Sequence, residues 1–195
     1  MKKILILFAH PAFQKSRINK ILIQGLDQIP GVTFHDLYQA YPELDIDVAH
    51  EQQLLLEHDV IVLHHPFFWY STPAILKEWQ DLVLEHGWAY GSKGNALKGK
   101  FLFNAMTCGG RREAYQTDGF NGSTVRQLLA PIEQTAKLCK MIYLPPFVTH
   151  GTHAITPEEI EKKKLQLNQA LELLRDEKFD AQELRTLDYF NDYIN

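Results

Sequence analysis

Short runs of aliphatic residues alternate with helix-length segments along the chain, and this alternation constrains the fold more than any other feature. Residues 3–9 form a continuous apolar run that ends at His10 and Pro11, which is typical of a strand buried on both faces. Four further strands are predicted at residues 32–37, 60–63, 100–106 and 141–144. Buried strands separated by helices predict an α/β fold, an open five-stranded parallel sheet with helices on both faces.

The segments between these strands have the apolar spacing and the end signals of helices. Thr72 and Pro73 are predicted as the N-cap and the first residue of one helix. Thr156 and Glu159 form a capping box at the start of another. The remaining helices are predicted at residues 18–29, 47–58 and 127–139. In the last of these, Pro131 marks either a kink or a new start.

The composition indicates one folded, soluble domain. The chain has 195 residues, of which 45% are hydrophobic and 23% charged, the proportions of an ordinary globular protein. A net charge of −4 gives no global attraction to nucleic acid. The apolar run at the N-terminus is too short for a secretion signal, and the only cysteines are Cys108 and Cys139. We therefore expect a cytoplasmic location.

The end of the chain differs in character from the rest. We place a single domain at residues 1–175 and a C-terminal tail at residues 176–195, which is charged and has scattered aromatic residues. The tail is predicted either as a mobile end or as a strap packed on a neighbour.

Ligands of such sheets bind at the carboxyl ends of the strands, so function is expected in the loops 10–19, 66–72 and 107–115. In the first loop, Ser16 and Asn19 stand at the entrance to a helix, where free N–H groups and polar side chains suit a small phosphate cradle. The alternative is that Ser16 merely caps the helix.

The second and third loops suit a planar ligand. Residues 67–70 are four consecutive aromatics that could wall a heterocycle, or equally cap the core or fill a subunit contact. Gly109 and Gly110 could aim backbone N–H groups at a developing negative charge, with Tyr115 as a further donor. An ordinary turn with a surface tyrosine is the alternative.

No metal site and no protein nucleophile are predicted. His64 and His65 are neighbours on a strand and point to opposite faces. His150 and His153 have no acidic or cysteine partner nearby in the sequence, which favours a solvated loop. Cys108 is interpreted as a buried thiol rather than a nucleophile.

Four sets of residues together resemble a known family. They are His10-Pro11 with Ser16 and Asn19; His65-Pro66-x-x-Trp69-Tyr70-Ser71, which continues through Pro73, Leu76, Lys77 and Trp79 to Gly87-Trp88-Ala89-Tyr90-Gly91; Thr107-x-Gly109-Gly110; and Leu144-Pro145-Pro146-Phe147. These motifs resemble the flavodoxin-like NAD(P)H:quinone oxidoreductases. The likeness extends to about Arg175 and is strongest to the bacterial branch that includes the ancillary proteins of glutathione-regulated potassium efflux.

The resemblance implies a flavodoxin-like fold and a noncovalent flavin, FMN in preference to FAD. It implies a cytoplasmic homodimer, with active sites at the subunit interface, that transfers two electrons from NAD(P)H to a quinone by a ping-pong route. Two alternatives stay open. One is a flavin-binding ancillary subunit docked on a membrane potassium-efflux system at the inner membrane, and the other is a flavodoxin-type electron carrier.

The resemblance also implies roles for individual residues. The flavin phosphate and ribityl chain would be lined by His10, Ser16, Arg17 and Asn19. The isoalloxazine ring would lie beside Pro66, Phe67, Phe68, Trp69 and Tyr70. The pyrimidine end of the ring would face Thr107, Gly109 and Gly110, with Cys108 where threonine is usual. Tyr115 matches a tyrosine near the substrate, but its usual histidine companion is replaced by Asn121. Beyond these family positions, Arg111 or Arg112 is a candidate for a nicotinamide phosphate, and solvated loop arginines are the alternative.

Overall fold

A computed structural model describes residues 1–194, so the last residue of the predicted tail, Asn195, lies outside the described part. Its centre is a parallel sheet with the strand order β2-β1-β3-β4-β5, extended by a short strand, β6, that also pairs with β4. The strands are β1 Ile4–Phe8, β2 Val32–Asp36, β3 Val60–Pro66, β4 Phe101–Thr107, β5 Ile142–Tyr143 and β6 Phe147–Thr149. The parallel sheet is the one that the sequence pattern predicts, and its arrangement is the flavodoxin-like one that the resemblance implies.

Helices cover both faces of the sheet, and each face has its own hydrophobic core. The helices are α1 Arg17–Leu22, α2 Leu37–Ala40, α3 Val48–Glu57, α4 Ala74–Val83, α5 Val125–Leu128, α6 Ala130–Leu138, α7 Pro157–Arg175 and α8 Ala181–Thr186. Alternate residues of β1 enter the two cores, Leu5 and Leu7 on the side of α3 and α4, Ile4 and Ile6 on the side of α7. None of the helices within residues 1–194 is long and apolar enough to cross a membrane.

Two strands extend beyond their predicted ends. Strand β3 continues through His64 and His65 to Pro66, because these polar residues are as deeply buried as the aliphatic run before them. The fifth strand was predicted to stop at Leu144. It resumes at Phe147, where β6 pairs with residues 105–107 of β4. Pro145 and Pro146 lack the N–H groups that a continuous ladder needs, so they interrupt the strand without ending it.

Helix boundaries differ from the predictions at two places. Thr72 is not an N-cap: α4 begins at Ala74, and Pro73 has an extended ψ of 152° without any side-chain cap. The segment 18–29 is not one helix, because α1 ends at Leu22 and Gly25, with φ of 81°, turns the chain into a 3₁₀ turn at Leu26–Gln28. The new start near Pro131 is confirmed, since α5 and α6 are separate helices.

Residues 181–193 pack against the chain's own sheet. Helix α8 is followed by a 3₁₀ turn, Phe190–Tyr193, in which Phe190 is fully buried. The Phe190 amide donates to the Pro146 carbonyl, and the Asn191 side-chain oxygen accepts from the Val148 amide. The segment therefore satisfies backbone groups on the outer edge of the fifth strand, an edge that would otherwise be open.

Candidate functional site

A cavity of about 380 Å³ lies at the carboxyl edge of the sheet, a volume ordinary for a small-molecule site. Three of its walls come from the three loops predicted to carry function. They contribute His10, Ser16, Arg17 and Asn19; Pro66, Phe67, Phe68 and Trp69; and Thr107 and Gly109. The cavity is also lined by three residues that the sequence analysis did not select, Ile18, Thr152 and His153.

The polar wall is held in place by its own hydrogen bonds. Ser16 caps α1, because its hydroxyl oxygen accepts from the Asn19 amide at 3.1 Å. Ser16 also lines the cavity, so the predicted helix cap and a contact with a ligand are compatible. The Asn19 side-chain nitrogen donates to Ser16 Oγ and to Thr107 Oγ1, which ties the first loop to the third. The Asn19 side-chain oxygen is buried and has no donor among residues 1–194. It is thus an acceptor available to a ligand hydroxyl.

His10 and Arg17 complete this wall. The Ala12 amide donates to His10 Nδ1 at 3.2 Å, so a neutral His10 carries its proton on Nε2. Burial lowers the pKa of His10, which favours that neutral form. Arg17 donates to the carbonyls of Thr152 and Ile155, which fastens the loop after β6 beside the cavity.

The aromatic wall includes a strained turn. Trp69 and Tyr70 have φ of 51° and 63°, a left-handed conformation that a type I′ turn requires at both central positions and that bulky side chains rarely adopt. The Ser71 amide closes the turn on the Phe68 carbonyl at 3.0 Å. As a result Trp69 stands 94% exposed at the mouth of the cavity. Tyr70 points away from the cavity and donates to Asn121 Oδ1.

The two glycines are approached closely by the protein's own side chains. A Cβ on Gly109 would lie 2.7 Å from His153 Nε2, and one on Gly110 would lie 2.9 Å from the Tyr115 ring. The Gly109 amide has no acceptor among residues 1–194 and can donate to a ligand, whereas the Gly110 amide is hydrogen-bonded to the Tyr115 hydroxyl. Gly109 lines the cavity, whereas Gly110 lies behind it.

The structure does not bring Tyr115 and Cys108 into the cavity. Tyr115 is 6% exposed beneath Gly110, and burial raises its pKa to about 12. The Cys108 sulfur lies 3.2 Å from His150 Nδ1, also behind the loop, and burial raises the pKa of this thiol to about 12. Such a thiol is protonated at neutral pH, in agreement with its interpretation as a buried group.

Other predicted residues have different surroundings from those expected. His150 is not in a solvated loop: it packs between the rings of Tyr115 and Tyr189, and burial lowers its pKa to about 4. His153 is exposed, as predicted, but lines the cavity. Arg112 donates to both carboxylate oxygens of Asp192, at 2.8 and 2.6 Å. This ion pair attaches the C-terminal segment to the loop after β4.

Arg111 lines a second cavity, of about 470 Å³, on the other side of the loop after β6. Lys162 and Lys163 of α7 also line it, and Glu159 is the acidic residue among its lining residues. The two cavities have residues 150–155 as a common wall.

The signal for the missed wall was present in the sequence. Thr152 and His153 follow the carboxyl end of the fifth strand, which is where a parallel sheet binds ligands. Because the two prolines were interpreted as the end of that strand, the loop after Thr149 was not counted among the functional loops. This wall was missed because the end of the fifth strand was predicted too early, and not because its residue types are unusual.

Comparison with known proteins identifies relatives over most of the chain. The sequence profile of a family described as having a flavodoxin-like fold matches residues 2–172. The glutathione-regulated potassium-efflux system ancillary protein KefG of Pectobacterium carotovorum is 46% identical over 161 residues, which cover 83% of this chain and 88% of KefG.

Solved structures agree. General stress protein 14 of Treponema denticola, in complex with FMN, is 40% identical with a TM-score of 0.84, covering 88% of this chain and 99% of that one. An NADPH-quinone reductase from P. pentosaceus is 32% identical with a TM-score of 0.78, over 86% of this chain and 96% of that one. The protein therefore belongs to the family with the flavodoxin-like fold, and KefG, general stress protein 14 and this quinone reductase are among the proteins it is similar to.

Proposed function

We propose that this protein is an FMN-dependent oxidoreductase that transfers two electrons from NAD(P)H to quinones by a ping-pong route. One observation carries the proposal. Three loops that are distant in sequence meet in one cavity, where a polar wall faces an aromatic one. A 40% identical protein of the same fold holds FMN, and a 32% identical one is named an NADPH-quinone reductase.

The residues present fit a flavin mononucleotide. Ser16, Arg17 and His10 offer donors for a phosphate, and the Asn19 side-chain oxygen needs a donor that a ribityl hydroxyl would supply. Phe67 and Phe68 offer flat apolar surface for a ring system. When bound, the flavin supplies the hydride chemistry, and the protein provides binding and orientation.

The protein's own groups then have two roles, to stabilise developing charge and to leave room for the substrates. The amide of Gly109, which lines the cavity, is suited to stabilise negative charge near Thr107. The exposed side chains of Phe68, Trp69 and His153 leave the cavity open to solvent, so that donor and acceptor can enter it in turn. We propose Tyr115 as a positioning residue that supports this loop from beneath Gly110, since its ring does not line the cavity.

The second cavity supports a site for a nicotinamide nucleotide phosphate. Arg111 is suited to this role, whereas Arg112 is engaged by Asp192 and by the ring of Tyr189, 4.5 Å away. Steady-state kinetics of Arg111→Ala would test it. We expect a raised KM for NADPH and little change for quinone, while an unchanged KM for NADPH would exclude the assignment.

The mouth of the cavity supports a homodimer. Phe68, Trp69, Tyr70 and Phe120 are all exposed, and the bond between Tyr70 and Asn121 joins the two loops that carry them. We call these four residues the aromatic rim. Exposed apolar patches of this kind mark interaction surfaces. We propose that a second copy of the chain covers the rim and completes the active site.

Light scattering after size exclusion tests the dimer. Trp69→Ala combined with Phe120→Ala should shift the protein toward monomer, while Leu165→Ala, which removes an exposed apolar side chain on α7, should not. A monomeric wild type would contradict the dimer. A monomer would favour a second candidate function, that of an ancillary protein whose aromatic rim docks on a membrane transporter. The 46% identity to the ancillary protein KefG supports this candidate.

Flavin content and turnover test the main proposal together. We expect the purified protein to carry FMN and to oxidise NAD(P)H in the presence of quinones, with parallel lines in double-reciprocal plots. Failure to bind added FMN or FAD would refute the proposal. Bound flavin without turnover would instead favour an electron carrier or an ancillary subunit.

A further inference from the structure

A cluster of two histidines and a glutamate lies outside the cavity, on the α3 side of the sheet. His35 comes from β2, and His50 and Glu51 come from the first turn of α3. Their ligand atoms, one from each residue, all lie within 4.8 Å of one another. The sequence analysis did not predict this cluster, because His35 is separated from His50 and Glu51 by fourteen residues that include α2.

Glu51 is a carboxylate in an unusual position. It is 0% exposed, yet both of its oxygens are held by donors. Oε1 accepts from the Tyr41 hydroxyl at 2.6 Å and lies 2.7 Å from His35 Nε2, while Oε2 accepts from the Trp79 indole at 2.8 Å. In its ionised form the carboxylate accepts from the Tyr41 hydroxyl on one oxygen and from the donor-only Trp79 indole on the other. The hydrogen bonds therefore select the charged form.

That buried charge has only incomplete compensation. Tyr41 and Trp79 are neutral donors, and His35 carries a charge only when it is protonated. A buried carboxylate is stabilised by a fixed positive charge or by a metal ion. Beside it, the His50 ring lies edge-to-face with the His35 ring, with centroids 6.0 Å apart, and is exposed. A cation can thus reach Glu51 from solvent past His50.

From these contacts we propose that His35, His50 and Glu51 bind a divalent transition-metal ion, best suited to Zn²⁺. Two imidazoles and one carboxylate are a ligand set that zinc takes, with water in the fourth position. Tetrahedral ligands at about 2.0–2.2 Å from zinc lie roughly 3.3 Å apart, so the pair His35–Glu51 has to open by only about 0.6 Å.

The surrounding hydrogen bonds suit this exchange. When a metal takes the place of the His35 proton, Glu51 Oε1 keeps the Tyr41 hydroxyl and Oε2 keeps the Trp79 indole. Such second-layer donors hold a metal ligand in one orientation and raise affinity. Tyr41 and Trp79 are therefore positioning residues for the site. Bound metal would join the end of β2 to the start of α3.

Calorimetric titration of the full-length, chelator-treated protein with ZnCl₂ tests the proposal. We expect one zinc ion per chain, and at least tenfold weaker binding in His50→Ala, whose exposed side chain is dispensable for packing. His86→Ala, which removes another exposed histidine, is the matched control and should bind as the wild type does. Circular dichroism confirms that each variant is folded.

Substitution with Co²⁺ gives a second readout, since a tetrahedral site has intense visible bands that a six-coordinate aqueous ion lacks. We expect these bands in the wild type and in His86→Ala, and their loss in His50→Ala. The proposal fails if the wild type binds no zinc. It also fails if His50→Ala binds zinc as tightly as the wild type, which would place the ion elsewhere, for example at His10 and His153.

Discussion

At the scale of single residues, the turn at Trp69 and Tyr70 stores strain beside the cavity. A left-handed conformation costs an ordinary residue about 1–2 kcal/mol, and asparagine tolerates it better. Trp69 is exposed, so Trp69→Asn should raise the stability of the flavin-free protein by about 1 kcal/mol, or about 2–4 °C in melting temperature. Affinity for FMN should fall at the same time.

Phe120→Asn is the control for this change. Phe120 is 91% exposed and its φ is negative, so the substitution removes the same kind of apolar surface without relieving strain. Scanning calorimetry of both variants separates the two effects. Equal melting temperatures for Trp69→Asn and Phe120→Asn would show that the turn is not strained.

The two glycines should respond differently to alanine. At Gly110 the new Cβ would meet the ring of Tyr115, which is buried and cannot move aside. We expect Gly110→Ala to lower the free energy of unfolding by about 1–3 kcal/mol, as overpacking does. At Gly109 the Cβ would meet the end of the exposed His153 side chain, so the loss should be below about 0.5 kcal/mol. Urea unfolding measures both, and equal losses would contradict this account.

Cys108 should be dispensable for chemistry. Its thiol is buried behind the loop with its pKa raised to about 12, and hydride transfer through a flavin needs no thiolate. Cys108→Ser should therefore keep quinone reduction within about tenfold of the wild type, whereas loss of a nucleophile would abolish it. The test measures quinone turnover and flavin content of the variant in parallel. A variant that binds flavin but is inactive would overturn the proposed mechanism.

At the scale of elements, the start of α1 has two roles that a matched pair of variants can separate. Ser16 caps α1 and Asp180 caps α8, and both helices have six residues. Ser16→Ala and Asp180→Ala should each cost about 1 kcal/mol of stability. Only the first should weaken FMN binding, and Ser16→Ala with Asn19→Ala should weaken it by about tenfold or more. Fluorimetric FMN titration measures this, and equal FMN affinities would leave Ser16 as a plain cap.

The elements also show how far the sequence could predict the structure. Strands β1, β2 and β4 were placed to within one residue, because their aliphatic runs have clear ends. The extension of β3 through His64 and the resumption of the fifth strand at Phe147 were missed. In a sequence pattern, a polar residue or a proline after an aliphatic run indicates the end of a strand. In the folded protein, contacts with residues distant in sequence bury these positions and keep them in the sheet. A local sequence pattern does not contain information about those distant residues.

The cavity follows the same rule. Its three predicted walls come from loops with distinctive residues, such as Asn19, the aromatics from Phe67 onward and Gly109. The inward position of Tyr115 depends on where residues 110 and 150 meet, a contact between distant segments. The sequence therefore predicted which loops form the cavity, but not which side of a loop each residue occupies.

At the scale of the whole molecule, the three histidines whose pKa values burial lowers most make stability depend on acid. Burial lowers the pKa of His64 to about 3 and the pKa values of His65 and His150 to about 4. His65 is held neutral by donating from Nδ1 to the Pro66 carbonyl and accepting from Asn104. Below pH 6.5 the unfolded chain binds protons that the folded protein does not, so stability is lost as the pH falls.

Three such groups give a slope of up to about 4 kcal/mol per pH unit between pH 6 and pH 4, at about 1.4 kcal/mol each. Urea titrations at several pH values measure this slope. His64→Gln should reduce it by about one third, because glutamine does not titrate. A slope unaffected by that substitution would show that His64 is already protonated in the folded protein.

The position of Trp69 also provides a built-in optical reporter. The chain has three tryptophans; in a single copy of the chain Trp69 is exposed to water, whereas Trp79 is buried in the core against Glu51. Their emission is therefore expected at different wavelengths, Trp69 at the red end. Anything that covers the mouth of the cavity should quench or blue-shift only that component, so binding can be followed at nanomolar protein concentrations without attaching a dye.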